Sequence, residues 1–271
     1  MTEVGVRRTP GGVWAAESVS LLAVRGIPAV APGDDLAALV LSGMAFSGLA
    51  LQPWDVVVVT HKVVSKAEGR MVSLSSVSPS SEAVALAART NNDPRLVAVI
   101  LAESSRVLSA LPGVLVCETV HGLVCANAGV DRSNVEGGDV VTLLPAAPDS
   151  SAGALRSAWL SACDGGPLGV VICDTFGRPF REAGVNVAIG VAGMPAVSDY
   201  RGLVDTAGYV MSASALASAD EIASAAELVM GKVDSVPVAV VRGLRWDGVG
   251  RGAAELRRDP ARDVFRRVSP P

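Results

Sequence analysis

Aromatic side chains are scarce, 4% of 271 residues, and histidine occurs only at His61 and His121. The core must therefore be packed from small and β-branched side chains. With 50% hydrophobic residues the chain can still bury a sizeable one, as one large domain or two small lobes. Two histidines beside separate apolar runs support neither a histidine metal cage nor a Ser-His-Asp arrangement, and read as structural or exposed side chains. The four cysteines, Cys117, Cys125, Cys163 and Cys173, form no C-x-x-C pair. That excludes a zinc ribbon or a disulfide framework, and their apolar surroundings mark them as buried free thiols. Long apolar runs are missing too: Val56–Val59 and Gly169–Cys173 fall far short of the roughly 20 residues that a membrane span needs. There is no excess of positive charge, the formal net charge being -4. A general nucleic-acid or anionic-membrane surface is excluded, and any phosphate site must be local. The first residues lack the apolar core of a secretory signal, so the expected compartment is the cytoplasm. No G-x-x-x-x-G-K-[ST] loop occurs. Gly231-Lys232 lacks the upstream glycine, and Gly248-x-Gly250 follows no strand-to-helix context.

Short β-branched runs predict strands at Val56–Thr60, Val114–Cys117, Leu123–Cys125, Val140–Leu144, Val170–Cys173, Val187–Val191 and Val238–Val241. His121-Gly122 supplies a turn, so residues 113–126 read as a β-hairpin. Helices are predicted at Asp34–Leu41, Ser81–Arg89, Pro94–Leu111, Ser150–Ala162 and Ala217–Met230. Asp93-Pro94 starts the third of these as N-cap and first helical residue, and Gly231 ends the last. Strands and helices do not alternate regularly enough for a doubly wound sheet, so an α+β class with mixed sheets and flanking helices is expected. Residues 1–19 read as a flexible lead-in, 20–245 as the domain, and 246–271 as an Arg-rich peripheral helix or tail.

Three polar stretches follow apolar runs. Thr60-His61-Lys62-Val63-Val64-Ser65-Lys66-Ala67-Glu68-Gly69-Arg70 places three cations and two hydroxyls directly after a buried strand. It suits triphosphate oxygens, with Lys66 as a point-charge phosphate partner, and equally suits a solvated strand-to-turn segment. Asn127-Ala128-Gly129-Val130-Asp131-Arg132-Ser133-Asn134 offers hard oxygen ligands near a strand end, suited to magnesium or manganese, but a hydrogen-bonded turn is the commoner use of such a cluster. In Cys173-Asp174-Thr175-Phe176-Gly177-Arg178-Pro179-Phe180-Arg181 a buried strand ends in Asp-Thr, followed by a glycine turn and two arginines. Asp174 and Thr175 suit a metal, and Arg178 and Arg181 an anion. An N-cap with a structural ion pair fits as well.

These stretches belong to a longer series: Gly26-Ile27-Pro28, Pro32-Gly33-Asp34-Asp35-Leu36, Val64–Arg70, Ala126–Asn134, Asp174–Arg178, Ala188-Ile189-Gly190 and Asp199-Tyr200-Arg201-Gly202. In that order and spacing, over roughly residues 20–245, the chain resembles the coenzyme F420:L-glutamate ligase family, in a form without the nitroreductase-like domain that follows in some relatives. The resemblance implies a mixed α+β fold of two intimately joined lobes, assembled as an intertwined homodimer with the active site near the interface. It implies a ligase that activates a carboxylate of the F420 precursor with GTP, through an acyl phosphate that the amine of L-glutamate attacks, F420-0 becoming F420-1 with further γ-glutamylation. GTP is then the co-substrate, Mg2+ or Mn2+ binds as one or two ions, and there is room for K+. Asp131, Asp174 and Thr175 are implied as metal ligands, Lys66, Asp131, Asp174 and Arg178 as catalytic groups, and Ile27, Pro28, Ala29, Val30, His61, Lys62, Lys66 and Asn134 as the GTP site. His61 and Lys62 depart from the small polar contacts of some relatives, and Lys232 stands where some carry an acidic metal ligand. Two other readings stand beside this one: a paralogous glutamate ligase with a folate-like acceptor, and a silent F420-binding protein. The retained Asp131, Asp174, Thr175 and Lys66 weigh against the silent binder. Because the chain stops at Pro271, it is expected to lack the second domain's activity or to be a piece of a longer protein.

Overall fold

The computed structural model describes residues 12–132 and 139–263. Val56 to Val59 explain its centre. All four are fully buried, Val57 and Val59 in one core and Val56 and Val58 in another. An uninterrupted valine run is what a strand needs when both faces of its sheet are covered. This strand, β2 (Val56–Thr60), lies in the middle of a five-stranded sheet of order β1 (Val13–Val24), β12 (Val238–Trp246), β2, β8 (Gly169–Arg178) and β9 (Arg181–Ala192). Only β2 and β8 run parallel, with Val56 opposite Gly169 and Thr60 opposite Cys173; the other neighbours are antiparallel.

On one face, α1 (Leu36–Phe46) and α5 (Pro148–Trp159) bring Val40, Met44, Leu155 and Trp159 against Val57, Val59 and Ile172. Trp159 is fully buried and its indole Nε1 donates to the Ala37 carbonyl at 3.1 Å, so its one polar group is satisfied. On the other face α6 (Ser218–Met230) packs Ile222, Ala226 and Met230 against Val58, Val171 and Val241. Alanines at 219, 223 and 226 let the helix approach the sheet closely.

A third core makes a smaller lobe. It contains α3 (Ser81–Thr90), α4 (Pro94–Ala102), the pair β3 (Met71–Ser73) with β7 (Val140–Thr142), and the sheet β4 (Ser104–Leu111), β5 (Val114–Thr119) and β6 (Val124–Ala126). A small pair, β10 (Ser198–Asp199) with β11 (Ala215–Leu216), carries the Asp199-Tyr200-Arg201-Gly202 motif on an exposed hairpin. Arg70 joins the lobes: its Nη2 lies 2.7 Å from Glu103 Oε2 and its Nε donates to the Leu144 carbonyl at 3.0 Å. The α+β class with mixed sheets and joined lobes is therefore as expected. Among the described residues, no helix is long and apolar enough to cross a membrane.

Four expectations are corrected. Residues 94–111 are not one helix: α4 ends at Ala102, and 104–111 form a strand that pairs with β5. Ser104 turns its hydroxyl back to the Ile100 carbonyl at 2.6 Å, and such side-chain bonds compete with helix continuation. Residues 60–70 are not a solvated strand-to-turn segment, because α2 (His61–Ala67) starts directly at the end of β2 and buries His61, Val64 and Ser65. Of the lead-in expected over residues 1–19, the part from Val13 onward belongs to β1, an edge strand whose exposed positions mix Glu17, Ser18 and Ser20 with Ala15 and Val19 and whose pairing shifts between Ala15 and Ser20. Gly243 lies opposite that irregularity at φ +102°, where a Cβ would meet the Ser18 carbonyl oxygen at 2.0 Å. At the other end, Trp246 and Ala253 are buried, so the 246–271 stretch begins within the core rather than as a free tail.

Candidate active site

The end of β2 positions the first group of polar residues. Because α2 follows without a connecting loop, His61, Lys62 and Lys66 project from one short helix at the C-terminal edge of the sheet. The loop before α1 lies alongside. Asp34 accepts from Ala31 N at 2.8 Å, Asp35 caps α1 by accepting from Ala38 N at 3.0 Å, and Gly33 N donates to the Ala67 carbonyl at 2.9 Å. The Pro32–Leu36 motif thus holds Ile27–Val30 against α2.

β8 runs beside β2 and delivers Asp174 and Thr175 to the same edge. The strand does not stop at Asp174 but continues to Arg178 in a hairpin with β9, so the expected glycine turn is strand. Asp174 Oδ1 accepts from Thr175 N at 2.7 Å and lies 3.2 Å from Nε2 of the buried His61, a close approach without hydrogen-bond alignment. His61 Nδ1 faces Ser65 Oγ at 3.4 Å. From the smaller lobe comes Asp131, held by a two-way bridge with the Thr142 backbone at 3.0 and 2.8 Å; its Oδ2 meets Lys62 Nζ at 2.7 Å. Asn127, earlier in that motif, serves the turn: its Oδ1 accepts from Leu115 N at 3.0 Å.

Around these residues is a cavity of about 530 Å³, lined by Ile27, Pro28, Ala29, Val30, His61, Lys62, Lys66, Asp131, Asp174 and Thr175 together with residues from β9, α6 and the segment leading into β12. Of the other residues singled out above, Asn134 lies outside the described residues. Arg178 does not line the cavity; its Nη2 donates to the Glu182 carbonyl at 2.9 Å near the tip of the β8–β9 hairpin. The cavity also holds Asn186 and Glu227, two polar side chains that sequence reasoning passed over, beside the Lys232 noted above. Asn186, only 2% exposed, accepts from Thr175 Oγ1 at 2.6 Å and donates to Glu227 Oε2 at 2.7 Å. Lys232 donates to Thr175 Oγ1 and lies 3.3 Å from Glu227 Oε1. A signal for Asn186 existed: an amide between two valines in an apolar strand has a reason to be there. Glu227 was hidden in a helix whose neighbouring residues are alanines, Leu228 and Val229.

Similarity to known proteins decides the kinship. The family described as F420-0:gamma-glutamyl ligase matches residues 26–243. The chain belongs to that family. It is 44% identical over 254 residues to the coenzyme F420:L-glutamate ligase of Methanothermobacter thermautotrophicus, covering 92% of this chain and 99% of that protein. It is 45% identical to the coenzyme F420:L-glutamate ligase of Methanopyrus kandleri over 88% of this chain and 93% of that protein, and 42% identical to that of Archaeoglobus fulgidus over 92% and 97%. The matched range falls within the 20–245 stretch that carries the motifs.

Among the described residues no three His, Cys, Asp or Glu side chains converge as a ready metal cage. The donors present are the carboxylates of Asp131 and Asp174 and the hydroxyl of Thr175. They fit a hard cation that keeps waters and takes phosphate oxygens as its remaining ligands, as magnesium does. The thiol beside them is inert: burial pushes Cys173 up to about 12.

Proposed function

We propose that this chain is a GTP- and divalent-metal-dependent ligase that adds L-glutamate to the F420 precursor through an acyl phosphate. The observation that carries this reading is one cavity that gathers Ile27–Val30, Lys62, Lys66, Asp131, Asp174 and Thr175 from four separate stretches, in a member of this ligase family. A carboxylate is a poor electrophile, and bringing it to a triphosphate opposes two anions. An acceptor carboxylate oxygen attacks the γ-phosphorus, the bond to the bridging oxygen breaks, and GDP leaves. The glutamate nitrogen then attacks the acyl carbon, loses a proton, and inorganic phosphate leaves.

The residues have distinct tasks in this scheme. Lys66, one turn into α2, supplies a point charge for the terminal phosphates, and Lys62 is held toward them by Asp131. The Ile27–Val30 wall excludes water from one side of the nucleotide. Asp131, Asp174 and Thr175 hold the divalent ion, which when bound neutralises phosphate charge as the carboxylate approaches. Asp174 is oriented by the Thr175 N–H, with the buried His61 closing the space behind it.

Mass spectrometry of purified protein with F420 precursor, L-glutamate, GTP and Mg2+ or Mn2+ tests the reading, with each component omitted in turn. The expected result is a mass gain of one or more glutamyl units that needs both GTP and metal. GTP consumption without mass gain would move the activity to another acceptor, and no GTP consumption would reduce the chain to a binding protein.

A further inference from the structure

Lys232 is oriented in a way that a surface lysine has little reason to be. Its side chain is 62% exposed, yet Nζ turns inward, donates to Thr175 Oγ1 and lies 3.3 Å from Glu227 Oε1. Exposed ion pairs contribute little, and a long side chain loses rotamer freedom when held, so folding alone gives weak grounds for this arrangement. The backbone enforces it. Gly231 ends α6 at φ +63°, where a Cβ would sit 2.5 Å from Asp234 Oδ2, and the chain turns there to bring residue 232 back over the cavity.

The surroundings of Nζ are those of a small hard cation. A hydroxyl from β8 and a carboxylate from α6 face it, and the Asn186 amide from β9 bonds to both of those groups, through Thr175 Oγ1 at 2.6 Å and Glu227 Oε2 at 2.7 Å. The next residue in the chain before Thr175 is Asp174. β8 and α6 thus converge oxygen donors on one point, braced from β9 by Asn186, and the point is taken by an ammonium. A compact ammonium differs from magnesium chiefly in carrying one charge and in being covalently tethered.

We propose that Lys232 is a built-in cation: its ammonium holds the position at Thr175 and Glu227 that a second divalent ion would otherwise take, so each site binds one such ion. This rests on the metal-dependent reading above and specifies its stoichiometry. Taking the lysine away uncovers the side of Thr175 Oγ1 and Glu227 Oε1 that Nζ now covers, both still braced by the Asn186 amide, and a second ion fills the gap.

The test is a Mn2+ titration of the full chain with a non-hydrolysable GTP analogue, free Mn2+ being read by electron paramagnetic resonance. Wild type is expected to bind one Mn2+ per chain. Lys232→Gln is expected to bind two, the second at least 10-fold more tightly than any second ion on wild type. Lys232→Gln with Glu227→Gln is expected to return to one, because a carboxylate ligand is lost. Circular dichroism confirms that each variant is folded, and Lys232→Arg, which keeps the charge, stands in for Lys232→Gln as the one-ion control. Two ions on wild type, or one on folded Lys232→Gln, overturns the built-in cation while leaving the metal-dependent ligase intact. No Mn2+ on either protein overturns both.

Discussion

The two carboxylates at the cavity sit on unlike scaffolds. Asp174 is part of a ten-residue strand paired with β9 along its length and, just before Asp174, with β2. Asp131 sits at an isolated bridge to Thr142 in the smaller lobe, and its side chain is half of an ion pair to Lys62 on α2. One position is fixed by the central sheet and the other by a contact that spans lobes. The difference separates a group placed by the fold from one placed by the approach of two bodies, and the two should respond differently to change.

On the metal-dependent reading proposed above, removing metal acts on both scaffolds at once, so its effect is expected to be the largest. EDTA is expected to bring glutamyl transfer to background, with Mg2+ or Mn2+ in excess restoring it. Full activity in metal-free buffer would remove the shared reason for the two carboxylates. Asp174→Ala comes next: losing an electrostatic group on a rigid element is expected to lower kcat by about 10²–10³-fold. Asp131→Ala removes a carboxylate placed by a contact between lobes rather than by the central sheet, so a smaller loss of about 10–100-fold is expected, mostly as a raised KM for metal and GTP. Equal losses in kcat for both variants, with KM unchanged, would erase the distinction.

Lys66 belongs to α2, which links the two scaffolds, and its expected role is in binding. Lys66→Ala should raise the KM for GTP about 10-fold with kcat little changed, the pattern of a half-buried charge to phosphate contact worth about 1.4 kcal/mol. A fall in kcat at unchanged KM would instead place the ammonium at the transferred phosphoryl group.

How much of this was legible in the sequence follows the same division. The central sheet was clear where both faces are covered, as at Val56–Thr60 and Val170–Cys173, because full burial leaves an apolar run that needs no periodicity to be seen. The Asp93-Pro94 helix start and the His121-Gly122 hairpin were clear because capping and turn chemistry are local. The strand at 104–111 was hidden because Val107 and Leu111 continue the apolar spacing of the helix before it, while the strand's identity comes from pairing with β5, a non-local fact. β1 was hidden by its exposed edge, whose polar residues read like a tail. At the cavity, residues sharing a motif were found together, and Asn186 and Glu227 were missed because only tertiary structure brings β9 and α6 to Thr175.

The smallest expected effect is a chemical one, and it compares the scaffolds without touching the site. All four cysteines are buried free thiols, and burial pushes both Cys125 in the smaller lobe and Cys173 in the central sheet up to about 12 from an ordinary 9.0. At pH 8 the thiolate fraction of either is then about one part in 10⁴, so a disulfide reagent should label almost nothing in the native protein and all four after unfolding. The sign of the linkage is fixed by the raised value. The stability contributed by keeping these thiols neutral is present below pH 9 and is lost as pH rises from there through about 12, because the unfolded chain releases the protons first. Slow labelling under native conditions then reports opening. Cys125 lies on a three-residue strand, whereas Cys173 is flanked by β2 and β9, so Cys125 should react first as denaturant is added. Simultaneous labelling of the two, tracked by peptide mass, would mean that the lobes open as one unit and that Asp131 is held as firmly as Asp174.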